Sequence, residues 1–286
     1  VEETKARAFN KAIQKHIVSM SVSYVLENKP NVAWLSGFLL GIPVGNVRWL
    51  VWMTAGHVMH DLDNLLRSSQ VRGMRVTWHD NFPHKDAQNI PCDYSSLHKI
   101  PIEMDGYDFG LISLAGFHAA PIMHARENQP LTEHHWTIDG FVGEEHYVVG
   151  SPHEFSELRA VRSDGKIVDY SASSESVSVP VTEIDPTIDG DENDFWQHTD
   201  NFYGRIIQVH REDGTLLTDM SGMSGGPIFG VRDIDDKHFE YRLIAIQSAW
   251  MPGAKTVRGM RFSKIIGVLR EAIDRVISEG HRDEQN

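Results

Sequence analysis

Apolar positions near the start of the chain recur at helical spacing. Phe9, Ala12, Ile13, His16 and Ile17 fall three and four residues apart, the interval that gathers side chains on one helix face. Beyond them the period shortens. Trp34–Leu40 and Arg48–Thr54 are short runs of aromatic, aliphatic and β-branched residues, separated by the turn-forming stretch Gly41 to Gly45. Comparable runs follow at Met74–Trp78, Phe109–Leu114, Glu145–Val149, Arg159–Val161, Val177–Val181, Arg205–Val209, Pro227–Val231 and Arg242–Ile246. At the far end the helical period returns. Ser263 is placed to cap a helix whose Ile265, Ile266, Val268, Leu269, Ala272, Ile273, Val276 and Ile277 form an apolar stripe, with Gly280 just past its end.

Many short strands, without helices alternating between them, predict an all-β barrel or sandwich with a helix at each end. At 286 residues the chain can bury one large core or two smaller ones. Ser171–Asp200, rich in Ser, Asp and Glu, reads as a surface excursion between strands, and a weak seam near residues 130–145 could separate two halves. No apolar run approaches the ~18 residues of a membrane span, and the opening VEETKARAFNK lacks the apolar centre of a signal peptide.

Composition narrows the picture by exclusion. The single cysteine, Cys92, rules out an intrachain disulfide framework and a multi-thiolate zinc site. The net charge of −13 argues against a nucleic-acid-binding face.

Three segments carry chemistry. In Ser221-Gly222-Met223-Ser224-Gly225-Gly226-Pro227, small residues around one serine let the backbone fold tightly and aim N–H groups beside its hydroxyl. That is what an oxyanion hole requires, with Gly222 and Ser224 the natural donors. In Val51-Trp52-Met53-Thr54-Ala55-Gly56-His57, a strand ends in small residues and presents an imidazole, a base for the serine. In Tyr107-Asp108-Phe109-Gly110-Leu111, a carboxylate heads an apolar strand, where a histidine N–H would satisfy it and fix the imidazole tautomer.

The motifs TAGH, DFGLISL and GMSGGP, in that chain order, resemble those of the trypsin/chymotrypsin-like serine peptidases. The resemblance implies two six-stranded antiparallel β-barrels with His57, Asp108 and Ser224 as a triad in the cleft between them. It implies residues 1–30 as a helical extension and first strand, and 31–135 as an N-terminal barrel. Residues 136–262 would form a C-terminal barrel with an acidic insertion near 171–200, and 263–286 a final helix and tail. Substrate would lie along Ser248, Ala249 and Trp250. Thr218, six residues before the nucleophile, would floor the specificity pocket, so a preference for Lys or Arg is not implied. Trp250 and Met251 would narrow the entrance and favour small or medium apolar side chains.

Two departures from the family pattern stand out. Met223 occupies the usual place of an acidic residue, and the single cysteine allows no intrachain disulfide. Both resemble a disulfide-free, bacterial-type branch, and the lack of disulfides fits either a reducing, cytoplasmic setting or such a branch in a trimmed, exported form. The expected function is a serine endopeptidase acting on polypeptides, with no cofactor, no nucleic-acid or membrane partner, and room for a regulatory protein. A noncatalytic peptide-binding module on the same fold is the alternative.

Other readings fare worse. The Gly222–Gly226 pattern also suits an α/β-hydrolase elbow, but Pro227 and β-type residues follow where a helix is needed. Asp189, Asp191, Asn193 and Asp200 have calcium-loop spacing, yet Asp194 stands where such a loop needs glycine, so a solvated acidic loop is expected. The sets His79, His84, Cys92 and His134, His135 lack structural-zinc spacing, and no metal is expected there.

Overall fold

The computed structural model describes residues 2–80, 90–104, 106–114, 116–125, 128–136, 141–164, 166–174, 176–189, 200–207, 216–235 and 238–271. The N-terminal helix α1, Glu2–Gln14, ends two residues before His16, and its Phe9 and Ile13 are buried. Eight strands follow: β1 Val18–Leu26, β2 Lys29–Leu35, β3 Phe38–Val44, β4 Val47–Thr54, β5 Val71–Asp80, β6 Ile90–Cys92, β7 His98–Met104 and β8 Tyr107–Ser113. They form two four-stranded sheets, ordered β2-β1-β5-β6 and β3-β4-β8-β7. The sheets face each other across a core of Val18, Met20, Trp52, Trp78 and Ile112, where the two indoles meet edge to face at 5.1 Å. Each such side chain removed from water contributes on the order of 2–3 kcal/mol.

The run read as one strand, Trp34–Leu40, is two strands broken at Ser36-Gly37. The indole of Trp52 lies where a Cβ on Gly37 would sit, so only glycine fits at this point, where the chain passes from one sheet to the other. The expected loop Gly41 to Gly45 is largely strand, with only Gly45 and Asn46 left to turn back into β4.

The second half contains a closed six-stranded barrel, ordered β12-β13-β16-β15-β14-β9. Its strands are β9 Glu145–Gly150, β12 Val177–Glu183, β13 Phe202–Ile206, β14 Pro227–Asp233, β15 Phe239–Met251 and β16 Thr256–Arg261. Val148, Val179, Phe202, Ile228 and Val257 fill its interior. Between β9 and β12, a hairpin of β10 Ser156–Ser163 and β11 Lys166–Ser174 stands outside the barrel. The stretch expected as a surface excursion, Ser171–Asp200, therefore includes the end of β11 and the barrel strand β12, while residues 190–199, with Asp191 and Asn193, lie outside the described part.

A third core joins the halves. Phe9 and Ile13 of α1, Phe38, Val51 and Phe109 of the first half, and Phe229, Leu243 and Ile246 of the barrel belong to it. The C-terminal helix starts at residue 262, one residue before the expected cap Ser263, and adds Phe262, Ile265 and Leu269. Residues Ala272, Ile273, Val276, Ile277 and Gly280 of its expected stripe lie outside the described part. Strand β4 explains why both its faces are apolar: Val51 and Met53 point into this joint core while Trp52 points into the first.

Four polar bonds cross the same joint. The Ser19 and Ser151 hydroxyls meet at 3.1 Å. The Ser36 hydroxyl donates to Gly222 O at 2.8 Å and accepts from Ser151 N–H at 2.9 Å. The ring nitrogen Nε2 of buried His16 lies 2.9 Å from the Tyr241 hydroxyl. Among the described residues, no helix is long and apolar enough to cross a membrane.

Candidate active site

Directly after β4, Ala55 leads into a helix that sequence periodicity did not single out, α2, Gly56–Arg67. Its Val58, Met59 and Leu62 are buried, so the helix is held by packing on the first core. Gly56 sits against β7 and β8: a Cβ there would lie 2.2 Å from Ile102 O. Only glycine permits that approach, and the approach brings His57 to Asp108.

Asp108, the second residue of β8, meets His57 twice. One carboxylate oxygen accepts the His57 backbone N–H at 3.0 Å and the other lies 2.8 Å from Nδ1. The first bond caps α2 from another element, since Ala55 offers no side-chain cap. The second has Nδ1–H as donor, which leaves Nε2 with its lone pair free for a proton. Burial alone would lower the His57 pKa, but the hydrogen bond and charge of Asp108, with Asp61 and Glu103 behind it, outweigh that and raise it above 6.5. His57 remains partly exposed, so its free edge can reach a substrate.

Ser224 arrives from the barrel, in the loop before β14. The neighbouring Gly225 is buried and has φ of +88°. A Cβ on it would fall 1.9 Å from the Thr54 hydroxyl, 2.6 Å from Ser36 O and 2.7 Å from Ala55 N. The loop carrying Ser224 thus lies directly on the backbone that leads into His57. On its other side the loop is tied to β15 by Gly225 N–H to Gln247 O at 2.8 Å and Gln247 N–H to Gly226 O at 2.9 Å. Gly225→Ala is therefore expected to destabilise the fold by about 2–4 kcal/mol, from a left-handed alanine plus a backbone clash. It should also remove the reactivity of Ser224; a melting curve and a serine-directed label check both.

The backbone N–H groups of this loop divide cleanly. Those of Ser221, Met223, Gly225 and Gly226 donate to Asp219 Oδ1, Met220 O, Gln247 O and Met223 O. Among the described residues, the N–H groups of Gly222 and Ser224 make no hydrogen bond within the protein. They are the two expected to face an oxyanion. Met223, where the resembled family has an acid, is fully buried in the barrel core.

Thr218 lines a cavity of about 330 Å³ beside this loop, with Leu216, Leu217, Met220, Trp250 and Lys255. Thr218 does not act as a bare floor, because its hydroxyl donates to Glu154 at 2.9 Å. Ser248 is buried at an irregularity in the β15–β16 pairing and donates to Arg258 O, with Ala249 and Trp250 more open beyond it. Among the described residues, no group of three or more His, Cys, Asp or Glu is disposed to hold a metal.

What the sequence did not single out is the turn His153–Phe155, which touches the Ser224 loop from the side. No local motif marks it, since its partners are more than sixty residues away.

No family model and no curated protein matches the chain. Several solved structures are similar to it over most of its length. The Rv3671c protease from M. tuberculosis, in its active form, shares 15% identity over 90% of this chain and 80% of that one, with a TM-score of 0.38. Protease Anisep from Arthrobacter nicotinovorans shares 14% over 86% and 90%, at 0.40. The thermostable serine protease AL20, from an extremophilic microorganism, shares 14% over 88% and 93%, at 0.42.

Proposed function

We propose that this chain is a serine endopeptidase, with Ser224 as nucleophile, His57 as general base and acid, and Asp108 as the group that orients His57. The observation that carries this reading is the pair of hydrogen bonds that Asp108 accepts from His57, with the Gly225 backbone seated two residues upstream of that histidine.

In the first half of the reaction the Ser224 hydroxyl attacks a peptide carbonyl while Nε2 of His57 takes its proton. Negative charge develops on the carbonyl oxygen, which the N–H groups of Gly222 and Ser224 receive. The protonated His57, stabilised by Asp108, then gives its proton to the departing amine. Water repeats the sequence on the acyl-enzyme and restores the serine.

In this reading strands β1 to β8 form a first barrel that supplies His57 and Asp108, and residues 136–262 a second that supplies Ser224. The polypeptide lies along Ser248, Ala249 and Trp250 as an added strand. Its side chain enters the cavity beside Thr218, whose mainly apolar walls and Lys255 suit small or medium apolar groups and oppose Lys or Arg.

The direct test is incubation with a fluorophosphonate, followed by mass spectrometry of the peptide containing Ser224. The expected result is one covalent adduct on Ser224, formed faster as pH rises through the His57 pKa. An unlabelled Ser224 under conditions where the protein is folded would overturn the proposal.

A further inference from the structure

One flank of the loop carrying the two unengaged N–H groups is held by a short segment of chain. Glu154, in the turn His153–Phe155, accepts the Thr218 N–H at 2.9 Å on one carboxylate oxygen and the Thr218 hydroxyl at 2.9 Å on the other. The Asp219 N–H lies 3.4 Å from the first of these oxygens. One residue before Glu154, the backbone N–H of His153 donates to Ser221 O at 2.8 Å.

That last bond matters because a trans peptide points its C=O and N–H in opposite directions. Ser221 C=O and Gly222 N–H belong to the same peptide group. Holding the carbonyl against His153 therefore fixes the direction of the Gly222 N–H. The Ser224 N–H is fixed in the same way, since Met223 O, on its own peptide group, accepts from Gly226 N–H. The two ties differ in kind. The second is internal to the loop, whereas the first lasts only while the 153–155 turn stays docked.

Glu154 is the side chain of the turn that hydrogen-bonds to the loop. With buried Met223 before the nucleophile, the loop has no charge of its own at that place to anchor it. Gly222, with φ of +89°, completes the fit: a Cβ there would lie 2.9 Å from Ser151 O and 3.0 Å from His153 N.

We propose that Glu154 is a positioning residue. By clamping Thr218 and Asp219 it keeps the 153–155 turn on the loop and so aims the Gly222 N–H at the oxyanion. The catalytic half of this inference rests on the serine-peptidase reading; the clamp itself does not.

Two measurements on the full chain separate these halves. Hydrogen exchange of peptides covering 216–226 should rise at least about tenfold in Glu154→Ala, as the loop opens locally while the rest of the chain keeps its protection. Glu154→Gln, which retains one acceptor oxygen, should fall between it and the wild type. Should Glu154→Ala not fold, the Gln variant makes the same comparison. Unchanged exchange in either folded variant overturns the clamp. Fluorophosphonate labelling of Ser224 should slow by about 10²-fold in Glu154→Ala, the cost of one misaimed oxyanion donor, with kcat for a peptide falling more than KM rises. Raised exchange with undiminished labelling overturns the positioning role. A wild-type protein that never labels removes the peptidase reading, while the exchange data still decide the clamp.

Discussion

Replacing Ser224 with alanine is expected to lower kcat for peptide hydrolysis by about 10⁶-fold, as loss of the nucleophile does where serine and histidine act as a unit. Folding should change little, because Ser224 is half-buried and contributes only a hydroxyl, while glycines on either side shape the loop. The variant should still bind peptide, since the edge at Ser248–Trp250 and the cavity beside Thr218 remain. Steady-state hydrolysis, binding of a fluorescent peptide and a melting curve distinguish the outcomes. Equal hydrolysis by wild type and variant would remove Ser224 from the mechanism. Binding by both with hydrolysis by neither would favour the noncatalytic module.

Asp108→Asn is expected to cost about 10⁴-fold in kcat. The amide of the variant is isosteric and can still accept the His57 N–H, so α2 keeps its cap. What changes is the second contact, 2.8 Å from Nδ1, where a donor NH₂ replaces an acceptor oxygen. The ring then favours the tautomer with its proton on Nε2, the atom that must take the serine's proton. A pH profile reads the same change independently. Catalysis needs neutral His57, so activity falls as pH drops through its pKa, which Asp108 raises against the opposing effect of burial. Without the carboxylate that acid limb should move to lower pH. The linkage has the opposite sense for stability. The His57–Asp108 pair favours the protonated histidine, so its contribution is complete below pH 6.5 and lost as pH rises through the raised value. An acid limb unmoved by the substitution would detach Asp108 from His57.

The candidate site stands out in the sequence because each of its three segments is a local solution to a local problem. Small residues must surround a serine whose backbone is to bind an anion, and a buried carboxylate at a strand head must find a donor. Neither requirement depends on distant sequence. The helix that presents His57 was missed although Val58, Met59 and Leu62 have helical spacing, because the apolar run of β4 reads straight into them. The break at Ser36-Gly37 is invisible for a different reason: it is where the chain crosses from one sheet to the other, beside the Trp52 indole. The division of the first half into two sheets likewise depends on pairings that periodicity does not encode. The Glu154 clamp lies furthest from the sequence signal, since an exposed glutamate gives no hint of three donors more than sixty residues away.

The hydroxyl and amide bonds that join the two halves have a consequence for how this molecule meets acid. Ser19, Ser36 and Ser151 exchange hydrogen bonds with one another and with the carbonyl of Gly222, and none of these groups gains or loses a proton in the range where proteins stay folded. That part of the cleft is proton-blind. Acidification leaves those serine bonds in place while it silences the base, so mildly acid-inactivated protein should recover on neutralisation without having to refold.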